Sequence, residues 1–271
     1  MDLNNILLSI IIPIKDISNW ESNIIENINL FKNVNINYEF LFVYSAPKDV
    51  SIGKLQRILI KEKNIMFCLE NGNSIYSAMN KGIESASGTF LIFIGADDLF
   101  NKEEILNFKN TLINNQRSDL ILFEVLLKGE NKKQEIVKNT EGGIASLIHW
   151  TLGQPRIHQG IVYKRSYILS KRIKYLTKLK VTSDYIFTSE VLSCKPRIHI
   201  ENLPIIIFNT SGFSSKSSFT SNYLEHIKGF YLVQRLRKYL FFIIISRTIL
   251  ILYKFIINLF QKFKTIFKKI F

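Results

Sequence analysis

Ser74-Ile-Tyr-Ser-Ala-Met-Asn-Lys-Gly-Ile-Glu-Ser-Ala-Ser-Gly-Thr-Phe-Leu-Ile-Phe-Ile-Gly-Ala-Asp-Asp98 reads as a helix, a strand and a polar strand end in one continuous stretch. Ser74 is placed to cap a helix running to about Ala86. Thr89 to Ile94 is an apolar, strand-like run that stops at Gly95-Ala-Asp-Asp98. The same unit recurs upstream. Leu7 to Pro13 is a β-branched run of the kind a parallel sheet buries on both faces. Ile24, Ile25, Ile28 and Phe31 then follow at helical spacing within Trp20 to Phe31. Tyr38 to Tyr44 gives a second strand, Lys54 to Glu62 a short amphipathic helix, and Asn64 to Leu69 a third strand. Repeated strand–helix units of this length predict an α/β fold with a right-handed, Rossmann-like, mostly parallel sheet flanked by helices.

Beyond Asp98 the period loosens. Lys102 to Asn114 reads as a helix, and Leu120 to Leu127 and Glu135 to Lys138 as antiparallel strands around Gly129 to Lys132. Ile161 to Tyr163 is a short strand, Ser183 to Ser193 a helix and Ile198 to Asn209 an extended apolar run. Ser211 to Ser221 is rich in Ser and Gly and reads as a mobile loop. The expected organisation is a domain over 1–210, halved at 98/99, a mobile linker over 211–225 and a helical tail over 226–271.

Composition removes whole classes of function. At 47% hydrophobic and 21% charged residues the chain is neither disordered nor fibrous. Cys68 and Cys194 are too few for a disulfide scaffold or a cysteine zinc cluster, and read as buried thiols in a reducing compartment. Met1 to Asn5 lack a basic segment and Ile6 to Ile14 contains Pro13, so the start reads as a strand rather than a signal peptide. The net charge of +14 is uneven: after Glu225 there is no acidic residue but ten Lys or Arg. The first 225 residues carry only +4, which argues against a basic nucleic-acid-binding body.

Ligands of open α/β sheets bind at the carboxyl ends of the strands. Asp97 and Asp98 sit at such an end, where paired carboxylates either cap the next helix or hold Mg²⁺ or Mn²⁺ with substrate phosphates completing the shell. The stretch Ile75, Tyr76, Ala78, Met79, Asn80, Lys81, Gly82, Ala86 and Gly88, followed by the strand and Asp97-Asp98, resembles a family-2 glycosyltransferase of the GT-A fold. The likeness is to bacterial enzymes that build surface polysaccharides. Ser9 to Pro13 is similar to the family's first strand, Ile157-His-Gln159 with Tyr163-Lys-Arg165 to its His-Gln and basic pair, and Ser183-Asp-Tyr185 to its catalytic-base motif. Three donor-side carboxylates depart from the pattern: Tyr44-Ser-Ala46 follows the second strand, Ser77 stands where an Asp is usual, and Asn71-Gly-Asn73 lacks an acidic residue.

The resemblance implies a nucleotide-diphospho-sugar donor, UDP foremost, bound by Pro13, Tyr44, Ser45, Tyr76, Asn80, Lys81 and Asp97. It implies a divalent metal (Mn²⁺ or Mg²⁺) on Asp98 and Asp97, and Asp184 as the base of an inverting transfer. Acceptor or phosphate contacts would come from Arg156, His158, Gln159 and Arg165. Read residue by residue, alternatives stay open. Asp184 is equally placed to cap the helix after it, Tyr76 to pack that helix on the sheet, and His158 to be a satisfied core histidine. Gly82 would let helix and strand approach closely.

Lys238 to Phe271 contains no Pro or Gly, so a long helix is allowed. Its Arg247, Lys254, Asn258, Gln261, Lys262, Lys264, Lys268 and Lys269 fall within an arc of roughly 160°, opposite Leu252, Phe255, Ile256, Leu259, Phe260, Phe263, Ile266, Phe267 and Ile270. That pattern predicts an amphipathic helix on an anionic membrane surface; a core or dimerisation helix is the soluble alternative. With the resemblance it places the chain peripherally at the cytoplasmic face of the inner membrane, with a lipid-linked glycan acceptor and no nucleic acid. A catalytically weak, membrane-associated assembly partner is the competing reading, motivated by the donor-side departures.

Overall fold

Four β-branched and aromatic runs seed the sheet: β1 (Leu8–Ile14), β2 (Tyr38–Ser45), β3 (Ile65–Glu70) and β4 (Phe90–Phe93). They lie parallel in the spatial order β3-β2-β1-β4. The computed structural model describes residues 6–14, 19–45, 50–59, 61–72, 74–128, 134–137, 157–209 and 219–246, with 248, 249, 252, 253, 256, 257 and 260 beyond them. Helices α1 (Glu21–Lys32), α2 (Val50–Leu59) and α3 (Ile75–Ser85) make the crossovers. The second helix starts and ends earlier than its periodicity predicts, because turns at Leu59–Glu62 and Glu62–Ile65 feed directly into β3.

The second half adds β5 (Leu99–Phe100), α4 (Ile105–Asn114), β6 (Leu120–Lys128), β7 (Gln134–Val137), a 3₁₀ turn (His158–Gly160) and β8 (Ile161–Lys164). α5 (Arg165–Lys171), α6 (Ser183–Ser193) and β9 (Ile198–Asn209) complete it. Among the described residues the sheet runs β3-β2-β1-β4-β8-β6-β9-β5, with β7 on β6. β8 runs against both β4 and β6. That one reversal puts His158–Gly160 at the carboxyl ends of the parallel strands and sends Lys164 and Arg165 to the opposite edge.

Each face of the sheet buries its own core. On one side α1, α2 and α4 cover it with Ile24, Ile28, Phe31, Leu55, Leu59, Phe108 and Leu112. On the other, α3, α5 and α6 contribute Tyr76, Met79, Ile83, Ile168, Phe187 and Val191. Each such side chain contributes about 1.5–3 kcal/mol relative to exposure. One buried carboxylate ties the lower edge: Glu39 accepts from Ser9 Oγ at 2.5 Å and from the Ser87 amide at 2.6 Å, joining β1, β2 and the turn into β4.

The C-terminal segment departs from expectation. α7 (Phe219–Leu232) begins inside the expected linker, so residues 219–225 are helical; residues 210–218 lie outside the described residues. The expected single helix is also broken, because a 3₁₀ turn at Gln234–Tyr239 precedes helical residues 240–246. The turn seats Leu236 in an apolar cluster with Leu179, Tyr185, Ile186, Phe230, Val233 and Ile243, and brings Arg235 to Glu190 at 2.8 Å.

α3 sits close on β1 because position 82 has no side chain: a Cβ there would overlap the Ile11 side chain. Ile11 is fully buried and β-branched, so it has little room to yield. Gly82→Ala is expected to destabilise the fold by about 1–3 kcal/mol. A urea titration checks this, and an unchanged midpoint would refute the close approach.

Candidate active site

β4 ends at Phe93, and the chain turns through Gly95 so that Asp97 and Asp98 fold back over the strand end. The Asp98 Oδ2 accepts from the Gly95 amide at 2.7 Å. A Cβ at position 95 would overlap the Asp97 carboxylate, which would have to swing aside. From α1, Asn23 donates to the Asp97 carbonyl at 3.1 Å and Asn27 to the Asp98 carbonyl at 3.0 Å. The Asn27 Oδ1 also accepts from the Phe100 amide at 2.9 Å, so the loop backbone is fixed on both sides of the carboxylates.

Asp98 is 1% exposed. Its Oδ1 is buried with no hydrogen-bond partner among the described residues. Burial first, and the Asp97 charge second, raise its carboxyl to about 7, against easing by Gly95, the Asn209 backbone and the Gln159 side chain. Burial also raises Asp97. Among the described residues no three His, Cys, Asp or Glu gather into a protein-only metal cage. The donor set is instead two hard carboxylates with one unpaired oxygen, which fits Mg²⁺ or Mn²⁺ completed by diphosphate oxygens.

Asp184 lies in the first turn of α6, half-buried. Its Oδ1 accepts from the Tyr185 amide at 2.7 Å, and burial raises its carboxyl to about 6. It is not the cap of α6, for that position is Thr182. The loop before that position is held from α7: the Glu225 carboxylate accepts from the amides of Lys180, Val181 and Thr182 at 2.8, 3.0 and 3.1 Å.

The other expected site residues divide. Pro13, Tyr44 and Ser45 close β1 and β2 at the carboxyl edge. Glu70, which the sequence reading passed over, ends β3 beside Ser45. Its carboxylate accepts from the Gly72 amide at 2.7 Å and from Ser77 Oγ at 2.9 Å, so this turn does carry an acid. Its position directly after an apolar strand was the available signal, the same one that marks Asp97. Gln159 lies against Asp98.

Four residues serve otherwise than expected. Tyr76 is buried, stacks on Tyr175 and donates to the Val181 carbonyl at 2.5 Å, so it packs rather than presenting its ring to a nucleotide. Asn80 spends its amide on the Tyr175 backbone, with both contacts at 2.9 Å. His158 is buried against Phe93, with Tyr175 Oη at 3.0 Å from Nε2 and Tyr163 Oη at 3.4 Å from Nδ1. Burial lowers its pKa to about 3, so the ring is neutral and does not offset phosphate charge. Arg165 is carried to the far edge by β8, where its amide donates to the Thr89 carbonyl at 2.9 Å. Lys81 sits a turn and a half down α3 from the strand ends. Arg156 lies outside the described residues.

Residues 9–177 match the model of Glycosyl transferase family 2. A PGL/p-HBAD biosynthesis glycosyltransferase of Mycobacterium bovis is 24% identical over 150 residues, 55% of each chain. A poly(ribitol-phosphate) beta-glucosyltransferase of Bacillus spizizenii is 25% identical over 187 residues, 67% of this chain and 28% of that one. The chain thus spans between about a quarter and half the length of these two relatives. The crystal structure of S. aureus TarS 1-349 in complex with UDP-GlcNAc superposes with a TM-score of 0.63 at 17% identity, covering 84% of this chain and 68% of that one. At that identity the likeness establishes a shared GT-A architecture.

The raised Asp98 carboxyl fixes the sign of a pH effect. Its folded pKa of about 7 lies above the ordinary 3.8, so the stability it lends is complete below about pH 4 and is lost as pH rises through 7. Asp97 and Asp184, also raised, act in the same direction. In chelator, the melting temperature is expected to fall between pH 5 and pH 8, and Asp98→Asn to flatten that fall and melt higher at pH 8. An unchanged slope in Asp98→Asn would refute the burial of this carboxylate.

Proposed function

Because the chain belongs to glycosyl transferase family 2, we propose that it moves a sugar from a nucleotide-diphospho-sugar, with UDP as the nucleotide, to a hydroxyl of a lipid-linked bacterial surface glycan. The observation that carries this reading is the buried, half-unpaired Asp98 beside Asp97 at the carboxyl end of β4, with Asp184 held separately on α6. UDP is favoured because the similar TarS structures hold UDP and UDP-GlcNAc. A surface-glycan acceptor is favoured by the relatives, one a poly(ribitol-phosphate) beta-glucosyltransferase and one a PGL/p-HBAD biosynthesis glycosyltransferase.

Asp98 and Asp97 would hold the divalent cation, which when bound acts as a Lewis acid on the leaving diphosphate. Pro13, Tyr44, Ser45 and Glu70 line the strand ends where the nucleotide would lie. Asp184 takes the proton of the acceptor hydroxyl as its oxygen forms the bond to the anomeric carbon. The bond from that carbon to the diphosphate breaks with the electron pair leaving on oxygen, and attack from the opposite face inverts the centre.

A membrane surface is the proposed partner of the C-terminal helix. Phe241, Phe242, Ile249, Leu252, Tyr253, Ile256 and Phe260 are all exposed. Among the described residues no helix is long and apolar enough to cross a membrane. The basic arc expected opposite them lies outside the described residues. With this surface the enzyme works peripherally, at the cytoplasmic face of the inner membrane where lipid-linked acceptors are extended.

Binding of UDP, GDP, CMP and dTDP, each with Mn²⁺ and with EDTA, tests the donor half. UDP is expected to bind with Mn²⁺ only, and Asp98→Ala to lose it. A folded chain that binds none of the four would favour the non-catalytic assembly partner instead. Asp184→Asn is expected to keep UDP binding while lowering kcat by about 10²–10⁴-fold. The wild-type rate should rise with pH through about 6, where Asp184 ionises.

A further inference from the structure

The last acidic side chain of the chain is Glu225, and it is spent on backbone rather than on one of the ten basic residues that follow it. Its Oε1 accepts from the Lys180 amide at 2.8 Å. Its Oε2 accepts from the Val181 and Thr182 amides at 3.0 and 3.1 Å and from Thr182 Oγ1 at 3.3 Å. Three successive amides converging on one carboxylate form a nest for an anion. These amides belong to the loop that leads into α6 and to its N-cap Thr182, so Glu225 holds the entry to the helix rather than its first-turn amides. On the other side of the same segment, Tyr76 Oη donates to the Val181 carbonyl. Residues 180–182 are thus pinned by α7 and α3 at once, two residues before Asp184.

The rest of the contact keeps α7 in place. Gly229 lies so close to Ile186 that a Cβ would overlap it, and Phe230, Val233, Leu236 and Ile243 pack with Tyr185. Arg235 reaches the Lys171 carbonyl at 2.9 Å and Glu190 on α6 at 2.8 Å. The segment that carries the exposed apolar row therefore also grips both ends of the helix bearing Asp184.

We propose that Glu225 is a positioning residue for Asp184, holding the entry to α6 from the C-terminal segment, so that this segment is part of the acceptor side of the site. The inference rests on the reading of Asp184 as the base. Burial alone would raise the Glu225 carboxyl; the amides of Lys180, Val181 and Thr182 outweigh it and hold the group below the usual range, so it stays ionised where Asp184 titrates. The groups whose charge couples to Asp184 are Tyr76 from α3, Tyr163 from β8 and Tyr175 from the loop before α6, all with raised pKa. Tyr76 also feels Glu225. Burial is what raises Asp184, so loosening the nest, which admits water to it, lowers its pKa.

The test uses the full chain with Glu225→Gln, and with Arg235→Ala as a control that loosens the same segment away from the nest. Measurements are UDP binding with Mn²⁺, transfer kcat against pH, and a carboxyl ¹³C NMR titration of Asp184. Glu225→Gln is expected to keep UDP binding within about twofold, lower kcat at least tenfold and move the Asp184 midpoint down. Arg235→Ala is expected to leave that midpoint in place. Should Glu225→Gln fail to fold, Glu225→Asp, which withdraws the charge by one methylene, should show the same downward shift. An unmoved midpoint and pH limb in the Glu225 variant, with Asp184→Asn inactive, overturns the positioning role alone. Full activity in Asp184→Asn overturns the base assignment and the positioning role with it.

Discussion

Asp98 carries a carboxylate into a place that water does not reach, with one oxygen on the Gly95 amide and the other unpaired. A carboxylate in that position must be protonated or must meet a cation, because a bare buried charge costs several kcal/mol. The Asn209 backbone and the Gln159 side chain ease it without outweighing the burial. Asn23 and Asn27 direct their amides to the backbone carbonyls of Asp97 and Asp98 rather than to the carboxylates. Asp97 adds a second negative charge, and Gly95 keeps both close. The loop is rigid in its backbone and frustrated in its charge, a combination that favours an incoming cation with its diphosphate over rearrangement of the loop.

Beside the carboxyl ends of the strands the packing is aromatic and neutral. Phe93, His158, Tyr163, Tyr175 and Phe187 pack ring on ring, with Tyr175 and Phe187 stacked at 4.0 Å between centroids. His158 satisfies two tyrosine hydroxyls at once, which a neutral ring does by donating from one nitrogen and accepting at the other. Tyr163 passes the chain on to Thr188 at 2.8 Å, and Thr188 bonds the Asp184 carbonyl at 3.0 Å. Gln159, next to His158, touches Asp98. One 3₁₀ turn thus spans the space between the metal-type carboxylates and the helix of the proposed base, through polar groups that are paired rather than charged. Neutral, satisfied packing holds geometry without competing for the cation.

What was legible in the sequence was local. The parallel strands announce themselves as β-branched runs, Gly82 as a close approach and Asp97-Asp98 as a strand end, because each depends on neighbours within a few residues. The misplacements share a different origin. The family resemblance assigned Arg165 and His158 to one acceptor or phosphate site, yet antiparallel β8 separates them by the height of the sheet. Packing of Tyr76 was open from the sequence, but the partners of Tyr76 and Asn80, Val181 and Tyr175, come about a hundred residues later and could not be named from it. Glu225 stood out only as the last acid before a basic tail, and its three amides belong to a loop more than forty residues upstream. Contacts across such distances leave no periodic trace, so their residues read as surface.

The same reasoning bears on how the tail and the body divide. A helix independent of the body would be expected to touch it little. Here Ile243 is fully buried while its neighbours Phe241 and Phe242 are 68% and 61% exposed, so the helix inserts one side chain into the body and turns the next ones outward. Ile243 shares its cluster with Tyr185, the residue after Asp184. Any force that reorients the outward residues is therefore applied one packing layer from the first turn of α6. With the amide nest of Glu225 at the other end of the same segment, the C-terminal segment and the entry to α6 pack as one unit, and the proposed base sits on the helix they share.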